Sequence, residues 1–166
     1  MACERVLVVA VGNVFRRDDG AGVAVVNALR VGLGHPPLGP LDDGFDDLGQ
    51  RIDTVALHQM VPELAETLGP YDLVVFVDAH VPDLPDPLYE QHLEVAYQAP
   101  FVYHQTHPAT VLALAEQLHG RAPRGVLLSV RGHDFDFGEG LSPATARLVP
   151  DAVDRILALA APPDGE

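Results

Sequence analysis

The segment formed by residues 6–22 constrains the fold of this chain more than any other. It begins with a short apolar run that is typical of a strand buried on both faces. The turn signal Gly12-Asn13 ends this run, two adjacent carboxylates follow at Asp18 and Asp19, and an apolar-periodic stretch then begins a helix. This order is typical of an α/β protein, in which ligands bind beyond the carboxyl ends of strands. The same acids would also suit a helix N-terminus, so capping is an alternative to a ligand site.

The rest of the chain alternates between apolar strands and helical segments. Strands are predicted at residues 5–11, 51–57, 72–77, 93–97 and 125–130, and helices at 20–32, 60–68, 109–118 and 142–160. This alternation predicts an α/β fold in one domain over residues 1–166. The expected architecture is a three-layer sandwich, with a mostly parallel twisted sheet of about five strands and helices on both faces. The Pro-, Gly- and Asp-rich residues 34–48 are expected to form an exposed loop with partial disorder.

The composition excludes several classes of function. The chain has a net charge of −14, and its ten basic residues are all arginine, which argues against nucleic acid or an anionic membrane as partner. No apolar run approaches the roughly 18 residues of a membrane span, and the N-terminus makes a poor signal peptide, so a cytoplasmic protein is expected. The single cysteine, Cys3, excludes an internal disulfide. Neither Ser129 nor Ser142 lies in G-x-S-x-G and no H-E-x-x-H occurs, which argues against a serine hydrolase and a self-contained zinc peptidase.

Ligand-type side chains recur at the edge where parallel strands end. They are Asp18 and Asp19, Asp78 and His80, and His104 and His107. Carboxylates combined with imidazole form a hard-to-borderline donor set that suits nickel, zinc, manganese or iron. Each residue also has a structural alternative, since a strand-end aspartate can close a turn and most histidines are not ligands.

Three motifs carry a resemblance to a known family. The sequences GNVFRRDDGAG, VFVDAH and HQTHPATVLAL, together with the later GHDFDFGEGLSP, are similar to those of the hydrogenase maturation proteases. Those endopeptidases remove a C-terminal extension from the large subunit of nickel–iron hydrogenases. The resemblance covers roughly residues 5–159 and implies the same α/β sandwich that the alternation of strands and helices predicts.

The resemblance implies a site that recognises a metal ion, and it also implies a protein partner. The family's three metal positions fall on Asp19, Asp78 and His104, with His107 as the alternative to His104. Nickel would be carried by the substrate, a hydrogenase large-subunit precursor, and no organic cofactor is expected. The catalytic group stays open: Asp19 and Asp78 are candidates, acting on a water molecule.

Two further residues are candidates for substrate binding. His58 and Gln59 follow the second predicted strand, at the same edge of the sheet, and capping or plain surface exposure is the alternative for both. For the whole chain, one alternative function is a non-proteolytic nickel- or metal-binding accessory protein on the same fold. Another is a different α/β hydrolase or phosphorylase acting on a nucleoside or peptidyl-tRNA, which the acidic composition disfavours.

Overall fold

The computed structural model describes residues 3–97 and 106–163. Its strands are β1 (Val6–Val11), β2 (Ile52–Leu57), β3 (Leu73–His80), β4 (Leu88–Leu93) and β5 (Arg124–Arg131). Its helices are α1 (Ala21–Gly32), α2 (Leu64–Thr67), α3 (Pro108–His119), α4 (Pro143–Ala146) and α5 (Val149–Ala160). No helix within the described ranges is long and apolar enough to cross a membrane.

The five strands form one sheet in the order β2-β1-β3-β5-β4. The first four are parallel to one another, and β4 pairs antiparallel with β5 at one edge. The predicted mostly parallel sheet is confirmed, but the weaker strand predicted at residues 93–97 is wrong. The strand lies at residues 88–93, where Leu88 pairs with Val130 and Leu93 with Gly125. An edge strand is half exposed and carries polar residues, so its position depends on its partner strand more than on its own apolar pattern.

Alternate residues of β3 supply the two cores of the molecule. Leu73, Val75 and Val77 are buried with α1 and α5 on one face of the sheet. Val74 and Phe76 are buried with α2 and α3 on the other face. The near-continuous apolar strand is therefore covered on both sides, and the predicted three-layer arrangement is confirmed.

The last predicted helix is divided in two. Its N-cap is Ser142, as expected, and the Ser142 hydroxyl accepts a hydrogen bond from Thr145 N. Helix α4 ends at Ala146 and α5 begins at Val149. Pro150 explains the break, because proline cannot donate the backbone hydrogen bond that would reach back to Ala146, and its ring clashes with that turn.

The loop between α1 and β2 is bonded to the body of the protein, contrary to the expectation of partial disorder. The Asn27 side chain exchanges two hydrogen bonds with the backbone of Leu38. Ala56 N, on β2, donates to the carbonyl of Asp43 at 2.9 Å. The acidic part of this loop is therefore held beside the carboxyl end of β2.

The order of the strands defines where a ligand would enter. From β1 the chain moves to β2 on one side of it and then to β3 on the other. A crevice forms between the carboxyl ends of two adjacent strands wherever the winding of a parallel sheet changes direction in this way. In this protein the crevice lies between the ends of β1 and β3.

Candidate functional site

Asp19 lies in a short 3₁₀ turn, Arg17–Gly20, directly beyond β1. One of its carboxylate oxygens accepts a hydrogen bond from Asn13 N at 2.8 Å. Gly12 allows this turn to fold back, because its φ is +149° and a Cβ there would lie 2.0 Å from the carbonyl oxygen of Asp19. The first glycine of the sequence motif is thus required by the position of the acid.

Asp78 lies near the carboxyl end of β3, beside the end of β1. The paired register of β1 and β3 ends at Ala10 and Val77, so Asp78 is the first residue of β3 beyond it. Gly22, in the first turn of α1, packs directly on this strand end, since a Cβ there would lie 2.3 Å from the carbonyl oxygen of Val77. The turn that carries the first acid is therefore held against the strand that carries the second.

The two acids influence each other electrostatically. Burial raises the pKa of Asp78 to about 6, the hydrogen bond from Ala79 N opposes this rise, and the negative charge of Asp19 adds to it. One Asp78 oxygen accepts from Ala79 N at 2.7 Å, and the described residues provide no donor to the other. A partly buried carboxyl group beside a second carboxylate is a favourable place for a cation, which would relieve both the burial and the repulsion.

Asp18 has a different role from Asp19, although the two are adjacent. It is fully buried, and it accepts hydrogen bonds from the backbone N–H groups of His133, Asp134 and Ser142 at 2.7–3.0 Å. The hydroxyls of Ser142 and Thr145 lie 2.7 and 2.9 Å from its Oδ2. Asp18 thus ties the acid-bearing turn to the 133–145 segment.

These contacts determine the ionisation of Asp18. Burial alone would raise its pKa, but the hydrogen bonds from His133, Ser142 and Asp134 hold the pKa well below the usual range. Asp18 stays a carboxylate with its acceptor capacity used inside the protein. It is a structural residue and not the helix cap considered above, since the N-cap of α1 is Gly20, without a side-chain cap.

The structure describes only one of the two candidate histidines. His104 lies outside the described residues. His107 is the N-cap of α3, and its Nδ1 accepts a hydrogen bond from Ala109 N at 3.0 Å. In the neutral imidazole the other nitrogen, Nε2, then carries the proton, so neither nitrogen has a free lone pair for a metal in this arrangement.

His58 and Gln59 are exposed and follow β2 directly. His58 lines a cleft of about 430 Å³ together with Gly12 and Phe15. Gly12 also packs against the backbone of Asp19, so the cleft and His58 lie beside the candidate site, whereas Gln59 is not among the lining residues.

His80, on the same face of β3 as Asp78, is engaged elsewhere. Its Nδ1 lies 2.8 Å from the hydroxyl of Ser129 on β5, and burial lowers the pKa of its imidazole. Among residues 3–97 and 106–163, no three side chains of the His, Cys, Asp and Glu types are grouped so that they could hold a metal ion. The described part of the site is therefore the pair Asp19 and Asp78.

Comparison with known proteins identifies this fold. No family model matches the chain, and no curated protein sequence matches it. The hydrogenase maturating endopeptidase HybD from E. coli is similar in structure, with a TM-score of 0.68 and 22% identity over 93% of this chain and 91% of that one. The [NiFe] hydrogenase maturation protease HybD from Thermococcus kodakarensis has a TM-score of 0.60 and 20% identity, over 95% and 99%.

A third solved structure agrees with these two. The hydrogenase 2 maturation peptidase from a Thaumarchaeota archaeon has a TM-score of 0.60 and 21% identity, over 94% of this chain and 97% of that one. At this level of identity the comparisons establish the fold. They confirm, as a likeness of structure, the resemblance predicted from the three motifs.

The sequence does not indicate that Asp18 and Asp19 have different roles. Ser142 is recognisable from its position before Pro143 as a helix cap, but nothing in its neighbourhood indicates that it also bonds to Asp18, 124 residues earlier. Only the packing of the 133–145 segment against the first turn reveals that contact.

Proposed function

We propose that this protein is an endopeptidase that removes the C-terminal extension of a nickel–iron hydrogenase large-subunit precursor after nickel insertion. One observation carries the proposal: Asp19 and Asp78 meet at the crevice between β1 and β3, in a chain with the fold of hydrogenase maturation endopeptidases. In this fold class that crevice is where ligands bind.

The nickel ion belongs to the substrate, and the protein recognises it. Asp19 and Asp78 supply carboxylate oxygens, and His104 supplies an imidazole nitrogen, a donor set that suits a borderline divalent ion. One oxygen of Asp78 receives no hydrogen bond from the described residues, and burial beside Asp19 disfavours its negative charge, so a bound cation would stabilise the carboxylate here. Nickel recognition would bring the adjoining peptide bond into register.

His104 is favoured over His107 as the third ligand. The Nδ1 of His107 is committed to the N-cap of α3, and Pro108 follows it in the first turn. His104, three residues earlier, keeps the H-x3-P spacing to Pro108 on which the resemblance places the family's metal-binding histidine.

Hydrolysis requires an activated water molecule and a proton carrier. The water oxygen attacks the scissile carbonyl carbon, its proton passes to a carboxylate, and the same proton then moves to the departing amine as the C–N bond breaks. Asp19 and Asp78 are the candidate carboxylates.

The proposal is tested by the mass of the substrate. A nickel-loaded large-subunit precursor from the same source is incubated with this protein, and its intact mass is measured before and after. We expect a loss equal to one C-terminal peptide, which is recovered and sequenced. Stable binding of the loaded precursor without any loss of mass would instead establish the non-proteolytic accessory role on the same fold.

A further inference from the structure

The end of β3 that carries Asp78 is paired with a neighbouring strand on one side. The register of β3 with β1 ends at Val77, whereas its register with β5 continues through Asp78 to His80. We call residues 78–80 the β3 extension. Of the two strands beside β3, β5 alone holds this extension, so its position depends on contacts beyond those that fix a central strand.

Ser129 lies directly beside Asp78 on β5. The two residues are paired in the register of the parallel strands. Paired side chains of this register point to the same face of the sheet: Phe76 and Leu127, the pair two residues earlier, both pack in the core that contains α3. The side chains of Ser129 and Asp78 therefore share a face, and Ser129 is only 6% exposed.

The Ser129 hydroxyl is bonded to the last residue of the β3 extension. It lies 2.8 Å from Nδ1 of His80, which follows Asp78 by two positions and so points to the same face. Among the described residues, no other side chain is hydrogen-bonded to this imidazole. The backbone adds one contact, since the carbonyl of His80 accepts from Gly132 N at 2.8 Å. Ser129 and His80 thus link the extension to β5 through their side chains.

The carboxylate of Asp78 depends on this link for its position. One of its oxygens accepts from Ala79 N, which belongs to the same extension, and the described residues provide no donor to the other oxygen. The Ser129 hydroxyl, although next to Asp78 in register, is bonded to His80 and leaves that second oxygen open. Because a metal ligand must lie within about 0.5 Å of its productive position, a shift of the extension would misplace the open oxygen.

We propose that Ser129 is a positioning residue for Asp78: by binding His80, it fixes the β3 extension so that the open oxygen of Asp78 meets the metal ion carried by the substrate. The inference rests on the proposed function and adds to it a pair of residues that act through Asp78. Groups that orient a metal ligand in this way typically contribute about 10- to 100-fold to metal affinity or activity.

The test measures nickel discrimination, the ratio of the Kd for the nickel-free precursor to the Kd for the nickel-loaded one, by rapid mixing before cleavage accumulates. The variants are Ser129→Ala, His80→Ala and the two combined. We expect discrimination to fall about tenfold in each single variant and no further in the double variant, because both changes break the same contact. Ser129→Thr keeps the hydroxyl and should keep the discrimination of the parent. The Kd for the nickel-free precursor should be unchanged throughout.

Thr54→Ala is the matched control. Thr54 is also a hydroxyl residue on a strand, it is 5% exposed, and its Oγ1 accepts from Nη1 of Arg30 at 2.9 Å. It lies on β2, which is not paired with β3. Its removal also costs the fold a buried hydrogen bond, so urea unfolding should show both Thr54→Ala and Ser129→Ala to be less stable than the parent. Of the two variants, Ser129→Ala alone should lose discrimination.

The outcomes separate this inference from the proposed function. If the parent binds the nickel-loaded precursor more tightly and cleaves it, and Ser129→Ala discriminates equally well, the inference is wrong and the proposed function stands. Equal loss of discrimination in Thr54→Ala, or additive losses in the double variant, would indicate a general effect on the fold and overturn the inference. If the parent binds both forms of the precursor equally, nickel recognition itself is wrong and the inference falls with it.

Discussion

Asp18 and Asp19 are neighbours in sequence, and their structures predict opposite consequences when each is changed to asparagine. Asp18 is fully buried and accepts five contacts from N–H and O–H groups of His133, Asp134, Ser142 and Thr145. From the described residues Asp19 accepts one hydrogen bond, donated by Asn13 N. An asparagine differs from an aspartate by one NH₂ group and one negative charge, so the substitution tests acceptor capacity at nearly constant shape.

The expected cost at Asp18 is large. Its Oδ1 receives Ser142 N and its Oδ2 receives the remaining donors, so the new NH₂ group faces a buried donor in either orientation. The lost acceptor costs about 1–3 kcal/mol, and the weakening of the other charge-assisted bonds brings the total to at least about 3 kcal/mol. For Asp19→Asn we expect less than about 1 kcal/mol, because the amide oxygen can still accept from Asn13 N.

Urea unfolding followed by circular dichroism measures both costs, and acid provides a second check. Since hydrogen bonds hold the pKa of Asp18 below that of an unfolded aspartate, its contribution is fully present above about pH 4 and is lost as the pH falls through the folded pKa. The difference in unfolding free energy between the parent and the Asp18→Asn variant should therefore decrease only at acidic pH. Equal destabilisation by the two variants, or an Asp18→Asn protein as stable as the parent, would refute the assignment of one structural and one functional acid.

Two further predictions concern Asp78 and the two candidate histidines. Because the pKa of Asp78 is about 6 when folded and about 4 when unfolded, the parent loses up to about 3 kcal/mol of stability as pH rises through that window. Asp78→Asn should therefore be more stable than the parent near pH 8 and equal to it near pH 4 in chemical denaturation; a variant destabilised at neutral pH would contradict the burial argument. His104→Ala should abolish cleavage of the precursor, whereas His107→Ala should cleave at the parent rate and lose about 1 kcal/mol of thermal stability with its helix cap. The opposite pattern of cleavage would assign the third ligand to His107.

The sequence alone predicted the interior of the sheet, because buried parallel strands carry their own signal. The apolar run that precedes Asp78 is buried only if both faces of its strand are covered by other elements, and in the structure helices cover both faces. The edge strand was misplaced, since Leu88–Leu93 has polar side chains between its leucines and is fixed by its pairing with β5. The local sequence pattern predicts a strand least well where pairing with a single neighbouring strand fixes its position.

The candidate site was partly predictable for a related reason. Parallel strands end at a common edge, so the topology predicts that Asp19 and Asp78 lie at the same crevice, where the negative charge of Asp19 adds to the rise in the pKa of Asp78. The burial of Asp18 was not predictable, because its partners lie 115 to 127 residues away in sequence. The cap formed by His107 could have been anticipated from Pro108 at the first position of α3. The assignment of His104 as a ligand stays a prediction.

The nickel dependence of cleavage tests the central claim, that Asp19 and Asp78 act on the ion carried by the substrate. Nickel-loaded and nickel-free forms of the same precursor are incubated with the parent protein and with Asp78→Asn, and intact masses are compared over time. We expect loss of the C-terminal peptide only from the nickel-loaded form and only with the parent protein. Equal cleavage of the nickel-free precursor, or normal cleavage by Asp78→Asn, would contradict it.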